Sequence, residues 1–279
     1  MKSYKKKDKK INLDFTLEKY KSLCEAISNS TYTTITFKQY LSQQNLPNKC
    51  IVLRHDVDRK IDNALKMADI EYEYGIVSTY YCRKTESVFK PNYFQKIASM
   101  GHEIGYHYET LDKAKGNMIE AIRIFEQELN AFREFIDVKT VCMHGNPLTP
   151  WINLDIWKRY KLKDYGIIGE PYLSIDYHKV LYLSDTGRTW ADRNIRVKDV
   201  IRTEDYLANK PLMNANISTT DDLIDLIKNE NSAQIFILIH PNRWHGTLIG
   251  WAKELLSQNI KNIGKSGIVL YRKKRFKIS

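Results

Sequence analysis

The stretch IVLRH at 51–55, followed by Asp56, Val57 and Asp58, joins a strong strand signal to a cluster of ionisable residues. A short apolar, β-branched run of this kind is typical of a strand buried on both faces. Six similar runs follow: VSTYYC at 77–82, HEIGYH at 102–107, TVCMHG at 140–145, GIIGE at 166–170, VLYLS at 180–184 and QIFILIH at 234–240. Together they predict about seven strands, with a shorter one near TTITF at 33–37.

Helices are predicted in most of the gaps between these strands. The clearest lies near 116–136, where apolar residues recur at alternating spacings of four and three: Met118, Ile122, Phe125, Leu129, Phe132 and Ile136. This spacing places them on one side of a helix that packs on the core. Further helices are indicated at 14–29, 61–74, 91–100, 221–229 and 250–262. Alternating strands and helices predict a parallel α/β fold, either a barrel or a doubly wound sheet.

The formal net charge of +11 is concentrated at the two ends of the sequence. Residues 1–10 and residues 272–279 each carry +5, which leaves +1 for residues 11–271. A nearly neutral body argues against a nucleic-acid partner. We therefore expect one domain at 11–271 between two basic tails. The tails are interpreted as solvated, with weak contact with an anionic membrane surface as the alternative.

The sequence also favours a cytoplasmic location. No apolar stretch approaches the roughly 18–20 residues that a membrane span requires, and the lysine-rich start is not followed by a long hydrophobic region. The four cysteines (Cys24, Cys50, Cys82 and Cys142) are scattered without a CxxC pair. This spacing argues against a disulfide framework and against a thiolate zinc cluster.

Ionisable residues recur where the predicted strands end. They are His55, Asp56 and Asp58 after the first run, His107 after the third, His144 after the fourth, Asp185 after the sixth and His240 after the seventh. In a parallel α/β fold the carboxyl ends of the strands meet on one face, where active sites are assembled. The pattern therefore predicts a shared site at that face, although any single histidine of the set could be purely structural.

Asp56 and Asp58 lie two residues apart, so both side chains point to the same side of an extended strand end. One carboxylate of such a pair can bind a cation while the other accepts a proton from water. The alternative is an Asx turn or a helix cap before the helix near Ile61.

The segments LRHDVD at 53–58 and GHEIGYH at 101–107 resemble the first and second motifs of the polysaccharide deacetylase family, the NodB-homology domain of carbohydrate esterase family 4. The segment ILIHP at 237–241 is similar to the late strand that carries the family's general acid. The resemblance covers about residues 49–242 and implies a deformed (β/α) barrel of about seven parallel strands.

The resemblance also implies roles for four residues. Asp56 corresponds to the general base, Asp58 and His107 to metal ligands, and His240 to the general acid. The family places a second histidine four residues after the first, but this chain has Leu111 there.

A third metal ligand must therefore come from elsewhere. We expect it to be His144, which ends the next strand, with Glu109 as the reserve candidate and a purely structural role for His144 as the alternative.

Asp58, His107 and His144 would form an oxygen and nitrogen ligand set with open positions, which suits Zn2+ in a hydrolytic role. Ni2+, Co2+ and Fe2+ are alternatives. Coordination lowers the pKa of water from about 15.7 towards about 7, so a metal-bound water could attack at neutral pH. Asp56 would accept the proton of that water, and His240 would protonate the departing amine.

Four further residues are weaker candidates. Asp185 is expected to orient His240, Arg188 to pair with Asp56 or a substrate anion, Trp190 to stack on a sugar, and Arg243 to contact the substrate. The alternatives are a capping aspartate, a surface arginine, a core tryptophan and plain loop packing.

The sequence thus predicts a metal-dependent hydrolase that removes an N-acetyl or other N-acyl group from an amino sugar or glycan precursor. Two alternatives stay open at this point. One is a metal-dependent amidase or esterase acting on a non-sugar substrate, and the other is a carbohydrate-binding pseudoenzyme of the same fold.

Overall fold

The computed structural model of the chain describes residues 13–191 and 217–276, with side chains for 13–191 and 217–264. The strands within these ranges are β1 (Thr33–Thr34), β2 (Cys50–Val57), β3 (Thr79–Cys82), β4 (Glu103–Tyr108), β5 (Val141–Met143), β6 (Leu181–Ser184) and β7 (Gln234–Ile239). The helices are α1 (Leu17–Ser28), α2 (Phe37–Ser42), α3 (Ile61–Glu73), α4 (Pro91–Ser99), α5 (Thr110–Lys113), α6 (Met118–Arg133), α7 (Pro171–Ser174), α8 (Thr220–Asn229) and α9 (Leu248–Phe276).

The strands form one parallel sheet in the order β5-β4-β3-β2-β7-β6, and β1 pairs with the start of β2. The sheet curls into a half-barrel flanked by helices. The prediction of a deformed (β/α) barrel with about seven parallel strands is therefore confirmed. All strand carboxyl ends lie at one end of this half-barrel, since every strand runs in the same direction.

Alternate residues of β2 face two different cores. Cys50 and Val52 face the inside of the half-barrel, where they pack with residues of β3, β5, β6 and β7. Ile51 and Leu53 face the helices outside. Arg54 and Asp56 continue the inner row, as the two-residue period of a strand requires. The side chains that β2 points into the half-barrel are therefore apolar at its start and charged at its end, and all of them are buried.

Gly105 on β4 leaves room for the ring of Tyr81, which packs directly against the backbone there. A Cβ atom at this position would lie 2.4 Å from Cδ1 and Cε1 of Tyr81, which is closer than any side chain tolerates. Glycine therefore allows the Tyr81 ring to lie across β4, two residues before His107.

A buried polar network lies behind β2, between the sheet and the helices. Glu71 of α3 accepts hydrogen bonds from Ser78 Oγ at 2.6 Å, from Tyr80 Oη at 2.8 Å and from Tyr20 Oη, and its Oε1 lies 2.6 Å from His55 Nε2. Glu71 is fully buried. The network therefore fixes His55, the residue next to Asp56, from the outer face of the sheet.

One predicted strand is not formed. GIIGE at 166–170 does not form a strand, since only Gly169 pairs with the sheet, in an isolated bridge to Thr140. Gly166 adopts a left-handed φ of 65° and Glu170 already caps α7, which leaves too few extended residues for a ladder. The boundary expected at 271/272 falls inside α9, which runs to Phe276. The basic tail at 1–10 lies outside the described residues.

No helix in the described part of the chain combines the length and the apolar character needed to cross a bilayer. The four cysteines are buried and carry free thiols.

Candidate metal centre at the carboxyl ends of the strands

The residues predicted from the strand ends converge on one end of the half-barrel, except His55, which faces the outer side of the sheet and contacts Glu71. Asp56 lies near the end of β2 and Asp58 follows it, while His107 lies on β4, two strands away. His144 follows β5, and its backbone N–H donates to the carbonyl of Tyr108 at 2.7 Å. His240 follows β7 and lies near enough to affect the pKa of Asp58.

One carboxylate oxygen of Asp58 is the centre of this group. Its Oδ1 is buried and makes no hydrogen bond. It lies 3.5 Å from His107 Nε2 and 3.6 Å from His144 Nε2. Neighbouring ligand atoms around a tetrahedral cation with bonds of about 2.0–2.1 Å are about 3.3–3.4 Å apart. Both separations are longer than an ordinary hydrogen bond and close to this spacing. In the described residues, however, the group whose ligand atoms all lie within 4.8 Å of one another is Asp56, His107 and Cys142, not this one.

The surroundings of His107 fix which of its ring nitrogens faces Asp58. Nδ1 lies 3.0 Å from the backbone carbonyl oxygen of Cys142. A carbonyl oxygen only accepts, so Nδ1 carries the proton and the lone pair of Nε2 points towards the carboxylates. Burial lowers the pKa of His107, but the charges of Asp56 and Asp58 outweigh it and raise the pKa above its ordinary value. The same two carboxylates that favour a proton on His107 would also favour a divalent cation beside it.

Glu109 supports His144 from the far side. Its Oε2 lies 3.2 Å from His144 Nδ1, although the contact is not aligned as a hydrogen bond. Arg83 Nη2 donates to the same oxygen at 2.5 Å. Burial raises the pKa of Glu109, but His144 and Arg83 together hold it at about 2. Glu109, the reserve candidate, thus touches the ring nitrogen of His144 that faces away from Asp58.

Leu111 lies four residues after His107, at the position where the resembled family has its second metal-binding histidine. It is 1% exposed, at the start of α5, and belongs to the outer apolar core. Its backbone N–H donates to Asn153 Oδ1 at 2.9 Å. The place of the family's second histidine is therefore occupied by core packing, and His144 approaches Asp58 from the next strand.

Burial would raise the pKa of Asp58, but contact with His107 and the charges of His144 and His240 hold it well below its ordinary value. Asp58 is therefore a carboxylate whose negative charge is stabilised mainly by histidines. Asp58 therefore stays ionised, which is the form in which a carboxylate binds a metal ion.

Asp56 is held by an arginine that the sequence analysis did not single out. Arg54 Nε donates to Asp56 Oδ1 at 2.8 Å and Arg54 Nη2 donates to Oδ2 at 2.7 Å. Both residues are 3% exposed. The expected partner, Arg188, lies elsewhere. The sequence does contain a signal for the Arg54–Asp56 pair, because residues two apart on a strand lie on the same face.

A second set of possible ligand atoms shares His107 with the first. One ligand atom from each of Asp56, His107 and Cys142 lies within 4.8 Å of the others, and all three residues are buried. These atoms could hold a metal ion. However, both oxygens of Asp56 already accept hydrogen bonds from the Arg54 guanidinium, whose positive charge opposes a cation there.

His240 and Asp185 form a tightly held pair. His240 Nδ1 lies 2.7 Å from Asp185 Oδ1, and the backbone N–H of His240 donates to Asp185 Oδ2 at 2.9 Å. Arg243 Nη1 also lies 2.9 Å from His240 Nδ1, so both neighbours contact this nitrogen and Nε2 is the one left for chemistry. Asp185 is completely buried, and burial raises its pKa, but Arg243 and His240 lower the pKa below its ordinary value.

The remaining candidates lie beside this pair or behind it. Arg243 is 6% exposed, and its Nη1 donates to Oδ1 of Asp185 at 2.5 Å, so it supports Asp185. Arg188 stacks over the Trp251 ring, with 4.6 Å from its guanidinium carbon to the ring centroid, and donates to the Trp251 carbonyl. Trp190 is 1% exposed and donates to Thr220 Oγ1. The Trp190 ring therefore has no open face for stacking on a sugar.

Two comparisons with known proteins accompany this geometry. A scan against protein-family models and a search of curated proteins both find no match.

Proposed function

We propose that the chain is a metal-dependent hydrolase that removes an N-acetyl or related N-acyl group from an amino sugar or glycan precursor. The observation that carries the proposal is Asp58 Oδ1, a buried oxygen without a hydrogen bond that lies 3.5 and 3.6 Å from two imidazole nitrogens. The order of the motifs in the sequence supports the hydrolytic reaction and the class of substrate.

Asp58, His107 and His144 would hold the cation, with Zn2+ as the first choice for two nitrogens and one oxygen. The cation would polarise the amide carbonyl and lower the pKa of water. The residues around the site keep the ligands in position: the Cys142 carbonyl orients His107, and Glu109 lies against His144. Such outer contacts raise the affinity of a metal site.

Asp56 would accept a proton from the attacking water. Arg54 holds both of its oxygens, and the carboxylate lies 3.7 Å from His107 Nε2. A fixed carboxylate beside the cation accepts the proton without first reorienting. His240 would then protonate the departing nitrogen through Nε2, since Asp185 holds Nδ1.

The function is tested by measuring acetate release from several acetamides. The metal-loaded protein is incubated with N-acetylglucosamine, with its nucleotide-linked form, with chitin oligosaccharides and with simple non-sugar acetamides. We expect acetate from at least one amino sugar and none from the Asp58→Asn protein. Acetate from the simple amides alone would contradict the sugar substrate, and sugar binding without metal or turnover would contradict the hydrolase.

Arg54 provides a test of how Asp56 is held. Arg54→Lys keeps the charge but loses the planar fork that bonds both oxygens. We expect turnover of the preferred acetamide to fall by at least about tenfold while bound metal stays unchanged. Arg123→Lys is the matched control, because Arg123 makes a similar bidentate pair with Glu120 on the exposed side of α6. Full activity in Arg54→Lys would refute a role for this geometry.

Asp185 is expected to act as a positioning residue for His240. Asp185→Asn preserves size but presents an amide to both His240 and Arg243. We expect kcat to fall by about 10²–10⁴-fold, the range typical of lost acid catalysis, while KM and metal content change little. Asp176→Asn, at an exposed aspartate paired with Lys179, is the control. A change confined to KM would instead indicate a substrate-binding role.

A further inference from the structure

Helix α9 exposes an apolar stripe on its outer side. Ile249, Leu256, Ile260 and Ile263 are 71%, 66%, 72% and 75% exposed. Their spacings of seven, four and three residues place them on one side of the helix. The stripe covers 14 residue steps, about 21 Å of helix length.

Two polar side chains of α9 are buried against the protein, next to the partly buried Trp251 and Leu255. Glu254 is 6% exposed and Gln258 is 4% exposed. Glu254 lies 3.7 Å from Arg59 Nη2 and 3.6 Å from Lys60 Nζ. A helix of a globular protein normally buries its apolar side and exposes its polar side. Because α9 buries Glu254 and Gln258 and leaves the four residues of the stripe exposed, packing against the chain's own core does not explain the stripe.

The charge of α9 identifies the kind of surface that would cover the stripe. The helix contains seven basic residues and one acidic residue, a formal net charge of +6. The acidic residue is Glu254, which faces the protein and is paired there. A second copy of the same helix would bring like charges together. An anionic bilayer surface instead offers negative headgroups for the basic residues and an apolar layer for the stripe.

We propose that α9 docks on an anionic membrane surface, with its axis along the surface and with Ile249, Leu256, Ile260 and Ile263 inserted below the headgroups. The basic cluster Arg272–Arg275 belongs to the same helix, so apolar insertion and charge attraction act on one element. Two such signals together give firmer binding than either alone. The proposal does not depend on the hydrolase reaction.

The test is sedimentation of the full chain with vesicles of phosphatidylglycerol, compared with vesicles of phosphatidylcholine. We expect binding to the anionic vesicles that weakens as salt is added. Leu256→Ser with Ile260→Ser should reduce the partition coefficient at least about tenfold, because two large apolar side chains no longer insert. The matched control replaces Ile119 and Leu148 with serine, since both are strongly exposed but neither belongs to α9.

Circular dichroism establishes that each variant keeps the native fold. Equal vesicle binding by the α9 variant and the wild type would overturn the proposal. A second outcome would also overturn it: the wild type is a dimer that does not bind vesicles, and the Leu256→Ser/Ile260→Ser protein is a monomer. The stripe would then be a contact between two copies of the chain. Binding that is equally strong on both lipids would exclude the role of charge.

Discussion

Asp58→Asn is expected to reduce bound metal from one equivalent to a trace in protein purified with Zn2+ and measured by elemental analysis. The substitution keeps the shape of the side chain but replaces the charged oxygen that faces His107 and His144. An amide oxygen is a weaker and uncharged ligand, so the remaining two imidazoles bind a cation far less tightly. We expect hydrolysis of the preferred acetamide to be lost with the metal.

Two further variants decide which ligand set is used. His144→Ala should lose metal as Asp58→Asn does, whereas Cys142→Ser should retain it. The reverse result would place the cation among Asp56, His107 and Cys142, whose ligand atoms lie within 4.8 Å of one another. Metal bound equally well by all three variants would contradict both arrangements.

Glu109→Gln tests the support of His144 in the same assay. The amide keeps the size of the side chain but removes the negative charge 3.2 Å from His144 Nδ1. We expect metal affinity to fall by about 10–100-fold, the usual effect of removing an outer-sphere partner. A loss as complete as that of Asp58→Asn would instead identify Glu109 as a direct ligand.

The sequence predicted the strand ends well because their pattern is local. A buried strand followed by an ionisable residue is visible in IVLRH and ILIH, and parallel topology then brings these ends together. The same reasoning placed His144 beside Asp58, where the structure has it. It failed for GIIGE, because apolar content alone does not reveal a left-handed glycine and a helix cap.

Side-chain direction was harder to predict than position. The run IVLRH identifies Arg54 only as part of a strand, yet its guanidinium turns along the inner face to Asp56. Trp190 and Arg188 lie close to Asp185 in sequence, but Trp190 packs against Trp244 and Arg188 stacks on Trp251. Helix α9 is longer than the helix predicted at 250–262. Its exposed apolar residues do not form the buried stripe from which helix length is predicted.

The second large effect is expected from Glu71→Gln. Glu71 accepts hydrogen bonds from three hydroxyl groups and contacts His55, all in the interior. A glutamine offers one acceptor oxygen and turns an N–H₂ group towards these donors. Removing one partner from such a buried network typically costs about 3–5 kcal/mol. We expect the free energy of unfolding in guanidinium chloride to fall by that amount.

The control for this substitution is Glu73→Gln, two residues away on the same helix. Glu73 is 62% exposed and lies 3.8 Å from Lys21. Surface substitutions of this kind usually change stability by less than about 0.5 kcal/mol. If Glu71→Gln does not fold, Tyr20→Phe removes one donor and should cost about 1 kcal/mol. Equal stability of the Glu71→Gln and Glu73→Gln proteins would contradict the prediction.

The pH dependence of stability gives an independent measure of the same network. Burial raises the pKa of Glu71, but His55 and the other groups around it lower the pKa from 4.5 to about 2. Because the folded pKa lies below the unfolded one, the stabilisation is fully present above about pH 4.5 and is lost as the pH falls towards 2. Glutamine does not titrate, so the stability of Glu71→Gln should fall less steeply than that of the wild type across this interval. Parallel stability curves for the two proteins would exclude Glu71 as a source of acid sensitivity.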